Sequence, residues 1–107
     1  MGDDHLEIDV DAPSDTTALI TLTGDVDSAT APMLREAVAT VMFTQHPDEL
    51  IIDFAAVDFL DSGGIRVLID VHRQQRDRDG RLILANVPPA PRRVLEITGL
   101  TASLDLR

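Results

Sequence analysis

The chain contains no cysteine and no lysine; all nine of its basic residues are arginine. The first absence removes disulfides, thiolate nucleophiles and cysteine metal sites, and it fits a reducing compartment. The second removes the Walker A phosphate loop, which requires its lysine, and Schiff-base chemistry. It also disfavours a two-component receiver, which normally sets a lysine beside its acceptor aspartate. Aromatic residues make up 3% of the chain, with no tryptophan or tyrosine, so the core has to be aliphatic. No apolar run approaches the ~20 residues of a membrane-spanning helix. The N-terminal stretch carries Asp3, Asp4 and Glu7 and lacks the basic segment and apolar run of a signal peptide, so a cytoplasmic location is expected.

What is present is 107 residues, 44% of them hydrophobic, which is enough for one modest core. Residues 1–107 are therefore expected to form a single domain. The net charge of −10 argues against nucleic acid, which needs a basic face to displace counterions from phosphates, and against an anionic membrane surface. It fits plain solubility or a basic protein partner.

Leu6, Ile8 and Val10 alternate with acids, the pattern of a half-exposed strand. Leu19–Thr23 forms a second strand after the Pro13-Ser14-Asp15 turn, and Gly24 is free to take a backbone conformation that other residues avoid. Asp27, Ser28 or Thr30 can cap a helix whose apolar stripe is Leu34, Ala37, Val38, Val41 and Met42. Leu50–Phe54 reads as a strand buried on both faces or nearly so, with a short connection after it. A second helix carries Ile65, Leu68, Ile69 and His72 on one stripe and stops at Asp79-Gly80. Leu82–Ala85 is another strand, Pro91 opens a third helix with Gly99 as its C-terminal cap, and Leu104–Leu106 adds a short edge strand. The order predicts an α/β fold: a mixed sheet of four to five strands, its β-α-β units parallel with right-handed crossovers, and helices mainly on one face.

The chemistry concentrates at Asp61-Ser62-Gly63-Gly64, at the start of the second helix. This tetrapeptide resembles the nucleophile sequence of trypsin-like proteases, but the context does not. Of the three histidines, His5 and His46 lie in a terminal segment and a turn. His72 lies ten residues along the same helix, about 15 Å away by helical rise. A triad needs its base within hydrogen-bond reach, so no enzyme activity is expected. No histidine pair has specific metal-ligand spacing, and Asp58 and Asp61 read as solvated loop charges rather than a cation site. Ser62 is expected to cap the helix, accepting from the backbone of Gly64 or Ile65. That role leaves room for a second one, because a phosphate on Ser62 adds nearly two charges to the surface without entering the core.

Over essentially its whole length the chain resembles the STAS domains of the anti-sigma factor antagonist type. The resemblance is carried by Gly24-Asp25-Val26-Asp27 with Thr30-Ala31, by Leu50–Phe54 followed by Val57–Ile65, and by Arg93–Leu100. It implies a STAS-like fold with no cofactor. It also implies phosphorylation of Ser62 by a partner that is both anti-sigma factor and serine kinase, and restoration by a PP2C-type phosphatase. The unphosphorylated form is implied to bind the anti-sigma factor and free its sigma factor. Partner contacts carry over to Asp25, Asp27, Asp61, Gly63, Gly64, Ile65 and Arg66. The alternative within the same fold is a scaffold or sensory module that no kinase acts on. Two positions depart from the family pattern. Gly63 replaces a small hydroxyl residue or alanine, which leaves Ser62 as the only hydroxyl at the helix start. Arg66 replaces a glycine; it either meets a phosphate or an acidic partner patch, or pairs with Asp70, and the pairing is the expectation.

Overall fold

The computed structural model describes residues 5–102 and 104–107. Asp3 and Asp4 of the acidic N-terminal stretch lie outside them. In chain order the elements are β1 (Leu6–Asp11), β2 (Thr17–Val26), α1 (Ala31–Gln45), β3 (Glu49–Leu60), α2 (Ser62–Asp77), β4 (Arg81–Ala85), α3 (Pro89–Ile97), a 3-10 turn (Leu100–Ala102) and β5 (Asp105–Leu106). The sheet has five strands in the order β1-β2-β3-β4-β5. Among the described residues only β1 and β2 pair antiparallel; the other pairings are parallel. A hairpin therefore opens the sheet and helical crossovers extend it.

Strand period decides which side is filled. Ala18, Ile20 and Leu22 of β2, Leu50, Ile52 and Phe54 of β3, and Leu82 and Leu84 of β4 are buried in one cluster. Leu34, Val38 and Val41 of α1, Val67, Leu68 and Val71 of α2, and Leu95 of α3 join the same cluster, so the helices fill one side of the sheet. Each Leu or Ile buried this fully contributes about 1.5–3 kcal/mol relative to an exposed position. Register sets Leu19, Ile51 and Ile83 side by side on the opposite side. There Ile51 and Asp53 are only half-buried, so β3 is buried on one face rather than on both.

The predicted connection after Phe54 is also strand. β3 runs on to Leu60, and its register with β2 shifts twice, between Thr21 and Thr23 and between Gly24 and Asp25. Asp53 stabilises the first irregularity by accepting from the Ala55 N–H at 2.9 Å. Bulges change the inward spacing from two to three, so Val57 and Leu60 point inward while Asp58 and Phe59 stay exposed. Pairing of β3 with β4 ends at Asp53 and Ala85, and α3 lies against β3. Gly24 has φ +118°, and a Cβ there would stand 2.3 Å from the His5 carbonyl oxygen, so only glycine lets β1 begin beside this turn.

Candidate functional site

The C-terminal ends of β2 and β3 lead into the N-termini of α1 and α2, and the first turn of α2 meets the β2–α1 loop. Asp61, not Ser62, caps α2. Its extended backbone (φ −121°, ψ −171°) turns the carboxylate back over the helix, where Oδ1 accepts from the N–H of Gly63 at 2.8 Å and of Gly64 at 3.3 Å. Oδ2 accepts from the Ser28 N–H at 3.3 Å, tying the helix start to the preceding loop. The Asp61 N–H itself donates to the Val26 carbonyl at 3.1 Å. Ser62 becomes the first residue of the helix, exposed to solvent, and its hydroxyl makes no hydrogen bond among the described residues.

The glycines are there for contact. A Cβ at Gly63 would lie 2.6 Å from Ser28 Oγ and 2.7 Å from Ser28 Cα. At Gly64 it would lie 2.6 Å from Val26 Cγ1 and 2.8 Å from both Leu60 Cδ1 and the Val26 oxygen. Side chains at these positions would push α2 off the β2–α1 loop and the strand ends. The absence of a hydroxyl at position 63 therefore does not leave Ser62 alone: the fold brings Ser28, also exposed, against Gly63.

The β2–α1 loop is held from within. Asp27 is buried, and its Oδ1 accepts from the N–H groups of Ala29 at 2.9 Å and Thr30 at 3.0 Å. The Thr30 hydroxyl donates to the Asp25 carbonyl at 2.8 Å and accepts from the Asp27 N–H at 3.0 Å. Of the predicted contact residues, Arg66 is exposed, Asp25, Asp61 and Gly63 are partly exposed, and Asp27, Gly64 and Ile65 are buried. The last three shape the surface from beneath.

Arg66 does not pair with Asp70. That carboxylate accepts instead from Arg35 of α1 at 2.8 Å, bridging the two helices. Arg66 enters no ion pair among the described residues. His72 is half-buried on the α2 stripe as expected, with Nδ1 lacking a hydrogen-bond partner.

At this end of the molecule, two exposed apolar side chains escaped the sequence reading. Phe59 is 50% exposed and is the register partner of Asp25, and Met33, in the first turn of α1, is 48% exposed. Phe59 was legible only as part of a motif, because the three-residue spacing from Val57 to Leu60 hides which residues face outward.

The STAS domain family model matches residues 7–107. The chain belongs to the STAS domain family. An anti-sigma-B factor antagonist of Listeria monocytogenes is 31% identical over 88 residues, covering 82% of this chain and 76% of that protein. The Bacillus subtilis anti-sigma-B factor antagonist is 28% identical, covering 94% of this chain and 92% of its own. The crystal structure of an anti-sigma factor antagonist from Mycobacterium paratuberculosis superposes with a TM-score of 0.85 at 30% identity, covering 96% of this chain and 86% of that one. The anti-sigma factor antagonist SpoIIAA matches at 25% identity in two states. Its unphosphorylated form gives a TM-score of 0.81 over 94% of this STAS chain and 88% of its own. Its phosphorylated form gives 0.74 over 94% and 91%. Among the described residues, no helix of this STAS domain is long and apolar enough to cross a membrane.

Proposed function

We propose that this STAS domain is an anti-sigma factor antagonist that works by partner switching, as a regulator rather than a catalyst. In its unphosphorylated form it binds a cytoplasmic anti-sigma factor that is also a serine kinase, and that binding frees the sigma factor. Phosphorylation of Ser62 ends the interaction, and a PP2C-type phosphatase restores it. The docking surface comprises Ser62, Arg66, Asp25, Asp61 and Gly63, with Asp27, Gly64 and Ile65 supporting it from below.

The observation that carries this reading is the division of labour between Asp61 and Ser62. Asp61 caps the helix and holds the adjoining loop, while the Ser62 hydroxyl is exposed and unengaged. A charge added at Ser62 changes what a partner meets and leaves the cap intact. The relatives support the same reading by being anti-sigma factor antagonists, one of them solved both with and without its phosphate. Phe59 and Met33 offer apolar contact at this end of the molecule, and Asp25, Asp58 and Asp61 favour a partner with basic groups.

The test is intact mass and peptide mapping after incubation with candidate anti-sigma kinases and ATP, followed by binding assays. Phosphate is expected on Ser62. Ser62→Ala is expected to block modification and keep binding, and Ser62→Asp to weaken binding with a native circular dichroism spectrum. Phosphate confined to other residues overturns the site assignment, and unmodified protein in the presence of an active cognate kinase favours a STAS scaffold that is not switched.

A further inference from the structure

We infer that Arg66 is the internal counter-charge of a phosphate on Ser62, closing over it along the outer face of α2. The inference rests on the reading of Ser62 as a phosphoacceptor and adds the residue that receives the mark.

Three observations lead to it. First, the usual anion cradle at a helix start is already partly occupied. The N–H groups of Gly63 and Gly64 are bonded to Asp61 Oδ1, so a phosphate on Ser62 does not find them free. Second, the surroundings are acidic: Asp61 adjoins Ser62, and Asp58 and Asp25 stand at the neighbouring strand ends. A dianion placed there needs a cation. Third, one is available at the right spacing. Arg66 follows Ser62 by one helical turn, so the two side chains share a face with Cβ atoms about 5–6 Å apart. It is exposed and has no ion pair among the described residues.

The competing partner is removed by tertiary structure. Asp70, one turn beyond Arg66, is the carboxylate that would otherwise hold it, and Arg35 has taken Asp70 at 2.8 Å. The remaining arginines of α2, Arg73 and Arg76, lie two or more turns further along the helix. Arg66 is thus the α2 cation that can form charge-assisted hydrogen bonds with the Ser62 phosphate. In the unmodified domain its guanidinium faces solvent or partner; in the modified domain it is drawn to residue 62. The mark then alters two positions of the surface, adding negative charge at one and withdrawing positive charge at the other.

The experiment uses the full chain with phosphoserine incorporated at position 62 during synthesis, so it does not depend on any kinase. Phosphorus NMR follows the second ionisation of the phosphate as pH is varied. A nearby guanidinium favours the dianion, so Arg66→Gln is expected to raise the ionisation midpoint by roughly 0.3 to 1 pH unit. Arg66→Lys is expected to raise it less, and Arg73→Gln to leave it unchanged. An Arg66→Gln midpoint equal to that of the wild type overturns the inference, as does an equal shift from Arg73→Gln, which would mark a diffuse field rather than a contact. Circular dichroism of each variant checks that α2 is intact. Failure of a kinase to modify Ser62 is read in a separate assay and bears on the proposed function alone.

Discussion

The carboxylate of Asp61 and the backbone N–H of Ser28 are joined across 33 positions of sequence by a hydrogen bond of 3.3 Å. The other oxygen of the same carboxylate holds the first turn of α2. One side chain thus fixes both the start of the helix and the loop beside it, which frees the neighbouring Ser62 from any structural duty.

Asp61→Ala is therefore expected to destabilise the domain by about 0.5–2 kcal/mol, the range for loss of an N-cap. Ser62→Ala is expected to change stability by less than about 0.5 kcal/mol, as for an exposed position without partners. Urea denaturation of both variants measures the contrast, and equal losses would return the capping role to Ser62.

Gly64→Ala is expected to cost about 1–3 kcal/mol through overpacking. Its Cβ would meet the Val26 backbone oxygen as well as Val26 and Leu60 side chains, so repacking of side chains alone does not relieve it. Thermal unfolding of Gly64→Ala together with Val26→Ala checks this: the second substitution is expected to recover only part of the loss.

The Arg35–Asp70 bridge links α1 to α2, yet both side chains are substantially exposed. A double-mutant cycle with Arg35→Gln and Asp70→Asn is expected to give a coupling below about 1 kcal/mol, declining with added salt. Arg66→Gln in the unphosphorylated chain is expected to leave stability unchanged, since no partner is lost.

Asp105 anchors the short β5. Burial acts to raise its pKa, but hydrogen bonds and charges from Arg81 and Arg107 outweigh this and hold the carboxyl below its ordinary 3.8. A carboxyl lowered in the folded state contributes stability above its unfolded pKa and loses that contribution as pH falls through the folded value. Asp105→Asn is expected to lower the melting temperature at neutral pH, with the difference from wild type closing at pH values below about 4. A constant difference across that range would mean that the carboxylate charge is not what holds the strand.

Much of this architecture is legible from local pattern. Leu34, Val38 and Val41 mark α1, Gly24 marks the turn beside β1, and even the two-residue β5 shows as an alternation at Leu104–Leu106. Three features are not, each for a physical reason. Asp61 and Ser62 are both good caps, and which one serves depends on a one-residue offset in the helix start. The second half of β3 is hidden because bulges replace the period of two with a spacing of three. The partner of Asp70 is misread because the i, i+4 rule describes an isolated helix, and Arg35 reaches Asp70 from another one.

Past Asp53, β3 is hydrogen-bonded to β2 but no longer to β4, and α3 lies against it. An unaccompanied strand margin is a template on which another chain can add a strand of its own. Because α3 packs against β3, a strand added at that margin would have to fit beside this helix. The same stretch of β3 delivers Asp61 and Ser62 to the surface, so the segment that presents the proposed switch also carries an unpaired strand margin.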